Sequence, residues 1–371
     1  MDAVKITQDL IALKSYDGED KPFDYIKDLL ESSGIKTRTV SSNGVRNLYC
    51  EIGKGEKELG FNGHYDTVPP GEGWTTDPLK PTIKKGRLYG LGATDMKGGL
   101  AAMIAAFIEL SKEKLPIKVI LQVAGDEEQG GENGSTALVK KGLVAKRMVV
   151  GEPSGPMIEH AHKGVLRVEI ECRGKSAHGA RIYAGDNAVL RAVRIVNRIA
   201  TDSVLHVKAT KKQSEKVTTC NVGYLYGGHT SNVVPSKCVF SLDIRIPEDE
   251  SMDDVIHYLK GILDEKSQMR VTLRCTPMYT PPDNELVLNS KRIVEEALNT
   301  SIGLRTKLGA CDGHLFTDMG IPTVAIGPAA FDRKGNKVLH TTDEYVEVSK
   351  IKIWKEIYKR LAHYYANRER G

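Results

Sequence analysis

Two hydrophobic rhythms alternate over residues 1–160. Segments 22–33 and 98–113 read as helices, whereas 47–52, 58–62 and 117–124 are short apolar runs suited to buried strands. Pro22 stands where a first-turn proline belongs, and Gly34 lies just past the end of that helix. This alternation predicts an α/β architecture with a sheet covered by helices on both faces. In such sheets functional groups sit on loops beyond the carboxyl ends of the strands, so those loops are the first place to look for chemistry.

The rhythm changes at residue 164. Strand 165–172, helix 186–200, strands 217–226 and 238–246, helix 252–265 and strand 270–275 follow in the order β-α-β-β-α-β, the split βαβ or ferredoxin-like unit. A proline-rich stretch, 276–283, leads back to helix 285–300, strand 323–327 and a long terminal helix 349–367. The expected organisation is therefore a discontinuous α/β domain, residues 1–163 and 277–371, with a mixed sheet covered by helices. A ferredoxin-like α+β domain, residues 164–276, is inserted in it.

Composition narrows the function classes. A chain of 371 residues with 40% hydrophobic and 27% charged residues has material for two ordinary globular domains. Its net charge of +5 is thin for that length and no long block of like charge occurs, so nucleic acid is not an expected partner. The longest apolar stretch, 99–110, is about half of the roughly 20 residues that a membrane span needs and reads as a buried helix. The N-terminus lacks the basic end, apolar centre and cleavage site of a secretory signal, which predicts a cytoplasmic protein with no membrane partner. Six scattered cysteines with no C-x-x-C pair are expected to be reduced, inert thiols.

The chemistry-bearing residues lie at predicted strand ends. His64 and Asp66, in G-H-Y-D-T-V-P, share one face by their i, i+2 spacing, which suits a metal-binding imidazole and the carboxylate that orients it. Asp95 precedes two glycines and a helix in D-M-K-G-G. Three consecutive acids, Asp126, Glu127 and Glu128, follow a buried strand, and Glu152 follows another in G-E-P. Adjacent acids there repel one another unless a cation is near. With His340 late in the chain, these are imidazole and carboxylate ligands without thiolate, the set of a two-metal hydrolytic site.

Taken together and in this order, these segments resemble the metallopeptidase and deacylase family of succinyl-diaminopimelate desuccinylase, acetylornithine deacetylase, aminoacylase and glutamate carboxypeptidase. The resemblance spans essentially the whole chain. It implies that His64 and Glu152 hold one ion, Glu128 and His340 the other, with Asp95 bridging them and a cis peptide after Asp95. It further implies that Asp66 orients His64 and that Glu127 is the general acid/base, taking a proton from water and delivering it to the leaving nitrogen. Two divalent ions are expected, zinc first, with cobalt and manganese also suited to these ligands.

In the inserted domain, G-K-S-A-H-G resembles the family segment whose lid histidine, here His178, stabilises the oxyanion, often from a dimer partner. Its Gly-Lys-Ser is no phosphate-binding loop, because Glu169 stands where the first glycine would be required. Asn232 and Arg245 resemble family positions that meet substrate, although Asp243-Ile244-Arg245 is also the pattern of an ordinary ion pair. His160, His162 and His229 have no place in the family pattern. Asp312 and His314 stand where many relatives carry an Arg or a Ser/Thr-rich loop that contacts the substrate carboxylate. The resemblance thus predicts a metal-dependent amide hydrolase removing a succinyl or acetyl group from an N-acyl (di)amino acid. Its alternatives are a carboxypeptidase or dipeptidase of the same family, and an inactive metal-binding dimeric scaffold. A homodimer formed through the inserted lid/dimerisation domain is implied as well.

Overall fold

The computed structural model describes residues 1–367. The chain divides into two compact units, one of residues 1–160, 279–305 and 311–371, the other of residues 161–278 and 306–310.

In the first unit a mixed sheet is built round parallel strands. Glu58–His64 lies between Lys118–Ala124 and Met148–Val150, parallel to both, and Thr323–Ala325 continues the parallel set beside Met148–Val150. Val45–Ile52 pairs antiparallel with Lys118–Ala124, and Thr37–Ser42 antiparallel with Val45–Ile52. Parallel strands are buried on both faces, and six of the seven residues of Glu58–His64 and of Lys118–Ala124 are accordingly buried.

Gly98–Leu110 is the central helix. It is apolar all round, as a helix enclosed on every side must be, and only Glu109 escapes full burial. Helix Val348–Asn367 lies across it and brings Tyr358 against Phe61, with ring centroids 5.5 Å apart, while the Tyr358 hydroxyl donates to the Ile326 carbonyl at 2.8 Å. Because burying a phenol without a partner costs free energy, that hydrogen bond is what makes the position tolerable.

The second unit is a four-stranded antiparallel sheet. Its spatial order is Thr219–Gly227, Lys237–Ile246, Gly164–Arg173, Ser267–Cys275, with helices Ala188–Thr201 and Met252–Ile262. Lys237–Ile246 alternates buried and partly exposed residues, the pattern of a sheet with one dry face. Val168, Ile170, Phe240 and Leu242 pack with Ala192, Ile195 and Leu259 of the helices. This is the ferredoxin-like order of elements that the sequence predicts. All six cysteines are buried. No helix among the described residues is long and apolar enough to cross a membrane.

The solvent edge of the central helix is fastened by charge. Glu109 accepts from Lys355 at 2.8 Å and from Lys359 at 2.7 Å. Burial pushes the Glu109 carboxyl up, but those ammonium groups outweigh it and hold the group at about 2. A depressed carboxyl stabilises the fold above its unfolded value and loses that contribution as pH falls through its folded value. Glu109→Gln should therefore cost about 1 kcal/mol at neutral pH. In urea titrations across pH, the difference from the parent should shrink as pH drops from 4.5 toward 2.

Candidate active site

The register of the parallel strands delivers three functional segments to one rim. His64, the last residue of its strand, is level with Ala124, and Asn62 is level with Val150. The chain beyond Ala124 runs Gly125-Asp126-Glu127-Glu128, and beyond Val150 it runs Gly151-Glu152. His64 Nε2 consequently stands 3.9 Å from Glu127 Oε2 and 3.7 Å from Glu152 Oε1. The central helix reaches this rim only because its first turn is glycine: a Cβ on Gly99 would lie 2.3 Å from the Gly151 carbonyl oxygen.

Asp95 lies in the irregular segment Ala93–Lys97, just before the central helix, and the Asp95–Met96 peptide is cis. Its two carboxylate oxygens face different imidazoles: Oδ1 is 3.5 Å from His64 Nε2, and Oδ2 is 3.5 Å from His340 Nε2. His340 Nε2 also lies 3.0 Å from Glu128 Oε1. Glu127 and Glu128, though adjacent, are turned toward different histidines.

Two further carboxylates hold this array from behind. Asp66 faces His64 Nδ1 with Oδ1 at 3.4 Å and accepts the backbone N–H groups of Glu127 at 3.3 Å and Glu128 at 3.1 Å. Its carboxylate thus stands between the imidazole and the acidic turn, while its backbone carbonyl lies 3.0 Å from His64 Nδ1. Glu344, to which the sequence analysis attaches no role, is 2% exposed and accepts the N–H groups of Gly92, Thr94 and Asp95. Lys97 is wholly buried, donates to the Leu13 carbonyl at 3.3 Å, and lies in the field of both Glu344 and Asp66. Burial pushes its ammonium down to about 7.

Electrostatics favour a cation here. Burial raises the Glu127 carboxyl well above the usual range, His64 opposing and Glu152, Asp312 and Glu128 adding to the rise. Glu128 is raised by burial too, although its hydrogen bond to His340 opposes this. For His64 burial disfavours the charged ring, yet Asp66, Asp95 and Glu127 outweigh it and push its pKa well up. His64 Nε2 is buried and has no hydrogen-bond partner among the described residues. Ligand atoms about 2.0–2.1 Å from a tetrahedral zinc ion stand about 3.3 Å apart, close to the 3.5–3.9 Å between His64 Nε2 and the carboxylates of Asp95, Glu127 and Glu152. Two groups, His64–Glu127–Glu152 and His64–Asp95–Glu128, bring a ligand atom from each member within 4.8 Å of one another and can hold divalent ions.

Asp312 belongs to the same neighbourhood. Its Oδ2 accepts from Ser135 Oγ at 2.5 Å, Ser135 Oγ accepts from Asn62 Nδ2 at 2.8 Å, and Asn62 Nδ2 also reaches Gln122 Oε1 at 3.0 Å. This buried polar chain crosses from strand to strand beneath the rim. Burial raises the Asp312 carboxyl to about 6. His314 Nδ1 faces Asp318 Oδ2 at 3.7 Å.

The second unit gives its candidates different surroundings. His178 is exposed, with Nδ1 accepting from the Ala180 N–H at 3.1 Å. Its neighbour Gly179 donates to the Asn232 carbonyl at 2.7 Å, so His178 and the exposed Asn232 belong to adjoining segments. Arg245 is engaged by Asp243, at 2.6 Å through Nε and 3.1 Å through Nη2, and Arg167 shares that carboxylate at 2.9 Å. The ion pair that Asp-x-Arg spacing permits is thus present, on the partly exposed face of the sheet. His160, in the first unit, and His162, in the second, each bond a backbone carbonyl, of Thr280 at 2.8 Å and of Lys163 at 3.0 Å.

Comparison with known proteins agrees over the full length. A family model described as peptidase family M20/M25/M40 matches residues 60–364. A succinyl-diaminopimelate desuccinylase of Cereibacter sphaeroides is 31% identical, covering 97% of this chain and 98% of the relative. A probable succinyl-diaminopimelate desuccinylase of Staphylococcus epidermidis is 28% identical over 96% of this chain and 97% of the relative. Among solved structures, an M20 family metallo-carboxypeptidase from Sulfolobus solfataricus superposes with a TM-score of 0.84 at 21% identity, over 99% of both chains. An aminopeptidase PepT from Bacillus cereus gives 0.79 at 22% identity, over 97% of both.

Ser135 is the test of the buried chain beneath the rim. Ser135→Ala removes the donor to Asp312 and the acceptor for Asn62, leaving buried polar atoms unpaired. It should cost about 1–3 kcal/mol of stability in urea denaturation.

Proposed function

Because the chain belongs to peptidase family M20/M25/M40, we propose that it is a metal-dependent amide hydrolase that removes a succinyl or acetyl group from an N-acyl (di)amino acid. The observation that carries the hydrolase reading is the sharing of one carboxylate, Asp95, between two imidazoles, with Glu127 alongside. Full-length similarity to the curated desuccinylases carries the choice of an acyl amino acid over a peptide.

In this reading His64 and Glu152 hold one ion, Glu128 and His340 the other, and Asp95 serves both. Two such ions, when bound, polarise the amide carbonyl and acidify water. Zinc is the first choice, with cobalt and manganese also suited to imidazole and carboxylate donors. Asp66 fixes the ring of His64 and the backbone of the acidic turn. Glu127 takes the proton from water and delivers it to the leaving nitrogen, which avoids a covalent enzyme intermediate. In the second unit His178 donates to the developing oxyanion, and Asn232 and Arg245 meet the substrate. For Arg245 this requires that a substrate carboxylate compete with Asp243 for the guanidinium. The enzyme is a cytoplasmic homodimer formed through the second unit.

Product analysis on zinc- or cobalt-loaded protein tests the reading, with N-succinyl-diaminopimelate, N-acetylornithine and a dipeptide panel as substrates. A diamino acid should be released. Cleavage of dipeptides alone would instead make the protein a peptidase. Glu127→Ala should lower kcat by at least about 100-fold while both metals stay bound by elemental analysis. Turnover retained in that variant would remove Glu127 as the base. His178→Ala should lower kcat about 100-fold with both metals retained. Sedimentation should give the mass of two chains.

A further inference from the structure

We propose that Glu344 is a positioning residue of the metal centre, a buried carboxylate that sets the place of Asp95 and ties it to His340. The inference rests on the reading of Asp95 as the ligand shared by two ions, and it extends that reading to a residue outside the ligand set.

Three backbone N–H groups converge on this one side chain. Oε1 accepts from Thr94 at 2.7 Å and from Asp95 at 3.0 Å, and Oε2 accepts from Gly92 at 3.0 Å. Segment 90–95 is wrapped round the carboxylate, and successive N–H groups arranged in this way make a concavity that selects an anion. Gly92 allows the wrapping: its φ of +73° is left-handed, and a Cβ there would stand 2.5 Å from Thr67 Cγ2. The backbone of Glu344 adds a fourth tie, its carbonyl accepting from the Gly90 N–H at 3.0 Å, and Thr94 Oγ1 donates to the next carbonyl, Tyr345, at 2.5 Å.

The position of Glu344 in the chain gives the clamp its consequence. It stands four residues after His340, whose Nε2 lies 3.5 Å from Asp95 Oδ2. The loop that presents His340 is therefore locked to the loop that presents Asp95 through Glu344, more than two hundred residues away in sequence. Strand Tyr345–Glu347, which follows at once, pairs with Arg87–Tyr89 and fixes the far end of the connection. A side chain that only filled space would not need to be a buried carboxyl group with both oxygens directed onto backbone N–H groups, one of them that of a ligand residue. Partners behind metal ligands commonly change metal affinity by about 10–100-fold when removed.

The experiment uses full-length protein stripped by a chelator and then titrated with cobalt(II), read by calorimetry and by the visible absorption of the bound ion. Parent, Glu344→Gln, Glu344→Asp and Asp95→Asn are compared at a temperature where circular dichroism shows each of them folded. Glu344→Gln keeps the size of the side chain but sets an amide against at least one backbone donor, so cobalt affinity should fall about 10–100-fold with an altered spectrum. Glu344→Asp keeps a carboxyl group and should recover part of that loss. Parent-like affinity and spectrum in Glu344→Gln would overturn the proposal. Loss of the cooperative fold in both Glu344 variants would also overturn it, by assigning the residue to the fold and not to the metal centre. A parent that binds no pair of cobalt ions would remove the two-metal reading itself. A parent that binds two, with Asp95→Asn deficient and Glu344→Gln normal, would remove Glu344 alone.

Discussion

Like charges crowded at one rim of a sheet dominate the first unit. Asp66, Asp95, Glu127, Glu128 and Glu152 are gathered about two imidazoles, and all five have side chains no more than 15% exposed. Two like charges 4 Å apart repel by about 4 kcal/mol at an effective dielectric constant of about 20. That repulsion is relieved by protons or by cations. Burial first, and neighbouring acids after it, raise the carboxyl groups of Glu127 and Glu128, and the acids about His64 raise its imidazole against burial. A pair of divalent ions would relieve the same repulsion.

The scaffold makes that crowding affordable by rigidity. Parallel pairing holds His64 level with Ala124, and the central helix is packed so closely that its first turn admits only glycine against Gly151. Backbone donors then do much of the electrostatic work. Asp66 and Glu344 each gather N–H groups from a functional loop, which is how a buried carboxyl group finds its hydrogen-bond partners away from water. Lys97, just before the central helix, lies buried in the field of both carboxylates. The same side chains thus also fix where the segments of the rim lie.

The second unit is organised on a different principle. Its antiparallel sheet hides one face behind two helices and lays ion pairs across the other, among them Arg167–Asp243–Arg245 and Glu169–Arg270. Surface pairs of this kind contribute little stability. Arg245 can therefore exchange one carboxylate for another at small cost, whereas the buried pairs of the first unit cannot.

The sequence by itself determined the alternation of elements, the ferredoxin-like order of residues 164–276, and the residue types of the rim. Each of these depends on local periodicity or on short segments such as G-H-Y-D and D-M-K-G-G, where chemistry and turn geometry coincide within a few residues. Only the tertiary structure decided which oxygens face which nitrogens. His64 and His340 are 276 positions apart in the numbering, and nothing local to either specifies that one carboxylate, Asp95, lies between them. Glu344 and Asp312 were unreadable for a related reason. An acid that accepts from distant backbone N–H groups or from a buried serine looks, in sequence, like any acid in a polar loop. Its role exists only once long-range packing has excluded water and brought the donors to it.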